Sequence, residues 1–205
     1  MPSKTAFITG ASSGIGQAAA HQFAAAGFDL IISARRKSRV DELSRLLVEQ
    51  HGVEVLALEL DVRDQEAVRE SIGSLPKKWQ TIDVLINNAG LSRGLVTIDE
   101  GLISDWDEMI DTNVKGLLYV SRAVIPLMVK RQAGHIINVG SIAGHEVYAN
   151  GAVYCASKHA VDALTKGMRI DLCQHGVKVS TIDPGLVNTE FSKVRFHGDQ
   201  QRADS

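Results

Sequence analysis

Short runs of apolar, often β-branched residues alternate along this sequence with longer segments of helical periodicity. The runs that predict strands are Thr5–Thr9, Phe28–Ala34, Val53–Leu60, Asp83–Ile86, His135–Val139 and Val177–Ile182. The segments that predict helices are Ile15–Ala26, a stretch after Ser38, Gln65–Leu75, Asp105–Lys130 and Asn150–Gln174. Pro126 is expected to kink the fourth helix or end its regular part. Since a helix between successive strands makes those strands parallel, and apolar strands need cover on both faces, the pattern predicts an α/β fold with a doubly wound parallel sheet.

The bulk composition narrows the class of protein. The 205 residues suit a single domain spanning 1–205, with a polar tail from about residue 196 that we expect to be disordered. A net charge of -2 argues against a nucleic-acid partner, and no apolar run reaches the ~18 residues that a membrane helix needs. The two cysteines form no C-x-x-C motif and no signal peptide is recognisable, so a cytoplasmic location is the default prediction.

A glycine-rich turn joins the first predicted strand to the first predicted helix. Gly10 permits a sharp exit from the strand, Gly14 lets the backbone approach a pyrophosphate, and Gly16 lets the helix pack closely on the sheet. The N-terminus of that helix offers free N–H groups and a partial positive charge to phosphates. The turn therefore predicts a dinucleotide site, in which we place Gly10, Ser12, Ser13, Gly14, Ile15 and Gly16.

The end of the second predicted strand indicates which nicotinamide cofactor is used. An acidic residue at this position binds the ribose 2′-OH of NAD, whereas a basic one pairs with the 2′-phosphate of NADP. Arg35 and Arg36 stand here, with no acidic residue between Asp29 and Asp41. Arginine binds phosphate through two parallel hydrogen bonds, so the sequence predicts NADP. The alternative is that the two arginines only begin a solvated helix.

Tyr154 and Lys158 are four residues apart on a predicted helix and therefore share one face. A tyrosine and a lysine at this spacing often occur by chance on solvated helices. Oxidation of an alcohol needs a base for the hydroxyl proton, and a free tyrosine, with a pKa of ~10, is a poor base at neutral pH. A tyrosine that serves as this base therefore needs a partner that lowers its pKa, which favours a functional pair. A neighbouring ammonium, together with an oxidised nicotinamide, is expected to favour the phenolate and lower that pKa.

Two more polar residues are candidates for the same site. Ser141 follows the fifth predicted strand, where the carboxyl ends of parallel strands face a ligand crevice, and it is placed to bind the substrate oxygen. Asn113 lies inside the long predicted helix, where asparagine is a poor helix former. The alternatives are a turn serine and a local irregularity of the helix.

The G-x-x-x-G-x-G spacing, and Asn113, Ser141, Tyr154 and Lys158 in this order, resemble the short-chain dehydrogenase/reductase family over nearly the whole chain. The resemblance implies a Rossmann fold, an NADP-dependent enzyme acting on CH–OH groups, those four residues as its catalytic set, and a homodimer or homotetramer. In the family, the residue at the Asn113 position anchors a water that relays protons to the lysine. The further cofactor contacts that it implies are Asp61, Val62, Asn87, Ala89, Gly90, Tyr154, Lys158, Pro184, Gly185, Val187 and Thr189, the last at the carboxamide.

The substrate is the least determined part of the prediction. The segments Met109–Asn113 and Thr189–Asp199 resemble the branch of NADP-dependent 3-hydroxy acid dehydrogenases that also oxidise serine and L-allo-threonine. That branch implies a small hydroxy acid, with Ser141 and Tyr154 at its hydroxyl and Arg195 as the preferred carboxylate clamp over Arg93. Glu146 is a candidate for a substrate ammonium. A general carbonyl reductase of apolar ketones and a non-catalytic NADP-binding regulator remain as alternatives.

Two further expectations concern what the sequence lacks. The seven histidines form no H-E-x-x-H motif, so no metal site is predicted. Family members usually continue past this length with a substrate-covering helix, another helix and a seventh strand. The C-terminal strand and much of the lid are therefore expected to be missing from these 205 residues.

Overall fold

All six predicted strands form and pair in one parallel sheet in a computed structural model of the chain, which describes residues 3–187 and 189–196. The strands are β1 (Thr5–Thr9), β2 (Asp29–Ala34), β3 (Val55–Glu59), β4 (Val84–Asn87), β5 (Gly134–Val139) and β6 (Val177–Ile182). Their order is β3-β2-β1-β4-β5-β6. The order reverses between β1 and β4, and in open parallel sheets ligands bind in the crevice at such a reversal. The predicted doubly wound fold is thus confirmed.

Helices connect the strands in the predicted alternation. They are α1 (Gly14–Ala25), α2 (Lys37–His51), α3 (Gln65–Gly73), α4 (Ile103–Ile110), α5 (Leu117–Arg131), α6 (Ala152–Leu172) and the short α7 (Phe191–Arg195). Within the described ranges, none of them is both long enough and apolar enough to cross a membrane. The tail that was expected to be disordered lies outside the described residues, apart from Phe196.

Each face of the sheet has its own core. Phe7 and Ile31 point to one face, where they pack with residues of α3 and α5 such as Val124, whereas Ile8 and Ile32 point to the other and pack with residues of α1 and α2. Successive residues of a strand point to opposite faces, so continuously apolar strands supply both cores at once. Burial of each of these large side chains stabilises the fold by about 1.5–3 kcal/mol relative to exposure.

Of the two outcomes expected at Pro126, an end to the regular helix is wrong, because α5 continues through it to Arg131. A proline inside a helix costs about 3 kcal/mol, and the packing of the fully buried Val124 and Met128 on either side of Pro126 offsets that cost. The irregularity lies earlier, in a π-helical turn at Asp111–Gly116 between α4 and α5. Such turns insert one extra residue and are frequent at functional sites. This one contains Asn113.

Candidate active site

A cleft of about 1080 Å³ opens at the carboxyl ends of the strands. The predicted site residues that line it are Gly10, Ser12, Ser13, Gly14, Ile15, Arg35, Arg36, Asp61, Val62, Ala89, Gly90, Ser141, Tyr154, Lys158, Pro184, Gly185, Val187, Thr189 and Arg195. Four others, Gly16, Asn87, Asn113 and Glu146, are not among the lining residues. The structure therefore brings most of the predicted set to one cleft.

The glycine turn is held against the turn that follows β4. Gly10 has φ +66, and a Cβ there would lie 2.8 Å from the Cα atom of Ala89. The Asn88 side-chain amide donates to the carbonyl oxygens of Thr9 at 2.9 Å and Gly10 at 3.1 Å. A Cβ at Gly16 would lie 2.3 Å from that same amide nitrogen. Gly16 thus serves packing, as predicted, and it does so behind the cleft wall.

The floor of the cleft fits a dinucleotide. α1 begins at Gly14 with no acidic residue in its first turn, so its unpaired N–H groups are free to bind an anion. Thr112 lines the cleft beside Asp61 and Val62, and its buried hydroxyl has no protein partner within the described residues. At the other end, a Cβ on Gly90 would lie 3.2 Å from the Asn113 Oδ1 atom, which is a tight contact, so glycine lets this loop pass close to Asn113.

The predicted phosphate-binding arginines occupy different surroundings. Arg36 Nη2 donates to the hydroxyls of Ser12 at 3.0 Å and Ser13 at 2.9 Å, which fixes its guanidinium at the glycine turn. Arg35 instead pairs with Glu108 at 3.4 Å. Arg39, which sequence reasoning missed, joins Arg36 at the cleft because it lies one helical turn further on. That i, i+3 spacing at the start of α2 was the signal that could have found it.

Asp61 also meets an arginine at this end of the cleft. Burial tends to raise the pKa of its carboxyl, but hydrogen bonds from Arg63, the shortest at 2.6 Å, hold that pKa below its ordinary value. Asp61 is therefore ionised and partly neutralised where it lines the cleft.

Lys158 is buried on α6, and its Nζ atom donates to the Val139 carbonyl oxygen at 2.8 Å. Burial lowers the pKa of this ammonium from 10.5 to about 8, and the nearby carboxylate of Asp183 partly opposes that change. The Nζ atom lies 5.9 Å from the centre of the Tyr154 ring. The i, i+4 spacing thus brings the pair to one wall, as the helix predicts.

The protein groups by themselves do not lower the pKa of Tyr154, so the expected lowering depends on the oxidised nicotinamide that the expectation also included. Burial raises the pKa of this phenol above its ordinary value, and its interaction with Ser141 opposes the rise. Lys158 stays mostly protonated near neutral pH, since its lowered pKa of about 8 still lies above 7. Any net lowering has to come from a positive charge that is added to this wall.

Asn113 and Asn87 act behind the site. The Asn113 amide accepts from the Leu91 N–H at 2.8 Å and donates to the Leu91 carbonyl oxygen at 2.8 Å and to Ser157 at 3.0 Å. It therefore fastens the loop after β4 to the π-helical turn. Asn87 donates to Ser121 and Asn138 in the buried interior. Both residues support the cleft wall, and neither lines it.

Ser141 follows β5 and caps a short 3₁₀ turn. Its hydroxyl accepts from the Ala143 N–H at 3.2 Å, and its own N–H donates to the Asp183 carboxylate at 3.2 Å. The same carboxylate oxygen accepts from the Thr181 hydroxyl at 2.9 Å. The chain after β6 therefore fixes the position of Ser141 beside Tyr154.

The three charged candidates for substrate binding differ in their contacts and in whether they line the cleft. Arg195 donates to the Tyr148 hydroxyl at 3.0 Å, its guanidinium lies 5.9 Å from the Tyr154 ring, and none of the ion pairs among the described residues involves it. Arg93 is paired with Glu108 at 2.6 Å and also donates to the Val194 carbonyl oxygen. Glu146 is exposed outside the cleft lining, so its predicted contact with a substrate ammonium gains no support.

Known proteins resemble this chain over nearly its whole length. A family model described as short chain dehydrogenase matches residues 4–200. The chain is 47% identical over 203 residues to an NADP-dependent 3-hydroxy acid dehydrogenase of Schizosaccharomyces pombe, covering 98% of this chain and 78% of that protein. It is 47% identical over 197 residues to the NADP-dependent 3-hydroxy acid dehydrogenase YdfG of Salmonella typhi, covering 96% of this chain and 78% of that protein. Among solved structures, the closed form of serine dehydrogenase complexed with NADP⁺ superimposes with a TM-score of 0.92 at 43% identity, covering 98% of this chain and 79% of that chain.

Proposed function

Since this chain belongs to the short-chain dehydrogenase family and is an NADP-dependent oxidoreductase acting on CH–OH groups, we propose that its substrates are small 3-hydroxy acids. The observation that carries the proposal is the position of Arg195, a guanidinium without a carboxylate partner among the described residues, next to the Tyr154 ring. A compact molecule with a hydroxyl at one end and a carboxylate at the other fits between these two groups. The 3-hydroxy acid and serine dehydrogenases that the chain resembles act on compounds with this arrangement.

Ser141, Tyr154 and Lys158 carry the proton chemistry in this proposal. NADP, when bound, supplies the acceptor or donor of the hydride. The Ser141 hydroxyl holds the substrate oxygen, and the Tyr154 hydroxyl exchanges a proton with it. Lys158 stabilises the phenolate by its charge, because an opposite charge close by favours the ionised form. Asn113 positions Leu91 and Ser157, and through them the loop and helix that form this wall.

The cofactor is held in the remainder of the cleft. We assign the phosphates to the turn from Gly10 to Gly16, the 2′-phosphate to Arg36 with Arg35 nearby, and the adenine to Asp61 and Val62. Asn87, Ala89, Gly90, Pro184, Gly185, Val187 and Thr189 complete the proposed cofactor set, with Asn87 in a supporting role. Arg39 is added to this set because it lines the same end of the cleft.

An absorbance assay at neutral pH tests the substrate class. We expect NADP⁺ reduction with serine, 3-hydroxypropanoate and 3-hydroxyisobutyrate, and at least tenfold lower kcat/KM with their methyl esters, which lack the carboxylate charge. Ketones and alcohols without a carboxylate form the comparison panel. Equal kcat/KM for acids and esters would contradict the proposal and favour a general carbonyl reductase. No turnover of any compound would favour a non-catalytic NADP-binding protein.

We expect Arg195→Ala to raise KM for a 3-hydroxy acid by about tenfold to a hundredfold with a smaller change in kcat. A hydrogen bond to a charged group contributes about 1.5–3 kcal/mol, which corresponds to that range. Steady-state kinetics with the acid and its methyl ester measure the effect, since the ester should be insensitive to the substitution. Arg45→Ala, on the exposed side of α2, is the charge-matched control. An unchanged KM for the acid would rule out the clamp.

We also propose a homodimer or homotetramer. Large apolar side chains are exposed on several helices, among them Ile103 on α4, Leu118 on α5 and Ile170 on α6. Association through these helices would bury them, as exposed apolar patches often mark protein interfaces. Sedimentation equilibrium measures the assembly, and a monomer at all concentrations would contradict the proposal.

A further inference from the structure

Glu190 places a carboxylate between the two arginines at the NADP end of the cleft. Its Oε2 atom accepts from Arg36 Nη1 at 3.1 Å, and both of its oxygens accept from Arg39 Nη1, at 2.9 and 2.8 Å. These are charge-assisted hydrogen bonds, which are the stronger kind in proteins. All three residues line the cleft, at the end of β2 where the 2′-phosphate is assigned.

The contact joins distant parts of the chain. Arg36 and Arg39 lie at the start of α2, whereas Glu190 lies in the segment after β6, 151 positions beyond Arg39. That segment continues directly to Phe191, whose ring packs edge-on against the Tyr154 ring at 5.7 Å between centres. The Glu190 carboxylate thus ties the segment next to Tyr154 to the phosphate-binding arginines.

A phosphate dianion and this carboxylate repel each other when both bind the two guanidiniums, because like charges a few ångströms apart are unfavourable. Arg36 contacts Glu190 through Nη1, whereas its Nη2 group donates to the hydroxyls of Ser12 and Ser13. Its Nη1 group and the Nη1 group of Arg39 are the donors for which the two anions compete.

We propose that Glu190 is a cofactor-selectivity residue whose carboxylate competes with the 2′-phosphate of NADP for Arg36 and Arg39. The inference rests on the proposed placement of the 2′-phosphate at these arginines. Binding of NADP has to break the ion pairs that Glu190 makes with the two arginines, whereas binding of NAD leaves them intact. Glu190 therefore lowers the affinity for NADP only. Binding of the 2′-phosphate then breaks the ion pairs by which Glu190 holds the segment with Phe191 at the start of α2.

Equilibrium binding of 2′,5′-ADP and of 5′-AMP, which lacks only the 2′-phosphate, by isothermal titration calorimetry tests the proposal without any turnover. In Glu190→Gln, which keeps the size of the side chain and removes its charge, we expect 2′,5′-ADP to bind about fivefold more tightly. A larger gain is not expected, since the three side chains are 42–44% exposed and exposed ion pairs are weak. The affinity for 5′-AMP should stay within about twofold of that of the unaltered chain.

Glu49→Gln is the matched control, because Glu49 is exposed on the far part of α2 and its removal changes the net charge equally. Equal tightening of both nucleotides by Glu190→Gln, or equal tightening by Glu49→Gln, would overturn the proposal in favour of a general charge effect. Weaker binding of 2′,5′-ADP to Glu190→Gln would also overturn it, since Glu190 would then hold the arginines in place for the phosphate. If the unaltered chain bound the two nucleotides equally, the placement of the 2′-phosphate itself would be wrong.

Discussion

Tyr154→Phe should reduce kcat for a 3-hydroxy acid by about 10²–10⁴, the range that a positioned acid or base contributes. The substitution removes one hydroxyl and leaves the ring, which packs edge-on against Phe191 at 5.7 Å between centres. We therefore expect the fold and the cofactor affinity to be retained. Stopped-flow hydride transfer and NADPH binding followed by fluorescence measure the two properties separately.

A second tyrosine provides the control for this experiment. Tyr148 also lines the cleft, and its hydroxyl accepts from Arg195 Nη2 at 3.0 Å, so Tyr148→Phe should act mainly on KM through the position of that arginine. If Tyr154→Phe kept turnover within tenfold of the unaltered enzyme, a different group would have to be the acid and base. A parallel loss of NADPH binding would instead indicate a structural role for the hydroxyl.

The parts of this molecule that the sequence predicts well are governed by local rules. The six strands follow from short apolar runs, and Tyr154 and Lys158 share a wall because residues four apart on a helix lie side by side. The glycine turn is recognisable because Gly10 requires a positive φ against the turn after β4. In each case a few neighbouring residues determine the geometry.

The parts that sequence reasoning missed depend on contacts between distant segments. Nothing in the sequence pairs Arg39 with Glu190 across 151 positions, or shows that Glu108 neutralises Arg93 while Arg195 stays without a carboxylate partner among the described residues. The continuation of α5 through Pro126 is decided by the packing of its neighbours rather than by propensity. The raised pKa of Tyr154 is likewise a consequence of burial, which a motif does not encode.

Lys158→Met should lose at least a hundredfold in turnover, because it removes the positive charge that stabilises the Tyr154 phenolate. The same substitution should make the protein more stable near neutral pH. Lys158 is buried, and desolvation lowers the pKa of its ammonium from 10.5 to about 8. A residue kept for catalysis at the expense of stability is a recurrent feature of active sites.

The sign of the stability effect follows from the two pKa values. Between pH 8 and 10.5 the unfolded chain binds more protons at this lysine than the folded chain does, so its contribution to the free energy of unfolding rises with pH. Below pH 8 the lysine is charged in both states, and folding bears the whole desolvation cost. The gap between 10.5 and about 8 corresponds to a cost on the order of 3 kcal/mol.

We therefore expect Lys158→Met to raise the free energy of unfolding at pH 7 by about 1–3 kcal/mol, after about 1 kcal/mol is deducted for the lost hydrogen bond to the Val139 carbonyl oxygen. The gain should shrink as the pH rises from 8 towards 10.5, because the unaltered chain no longer carries a buried charge. Urea unfolding of both chains at several pH values between 7 and 10 measures the difference. Lys166→Met, on the exposed side of the same helix, should change stability by less than about 0.5 kcal/mol at every pH. A Lys158→Met chain that was less stable at pH 7, or a gain that did not vary with pH, would show that this ammonium carries no desolvation cost in the folded enzyme.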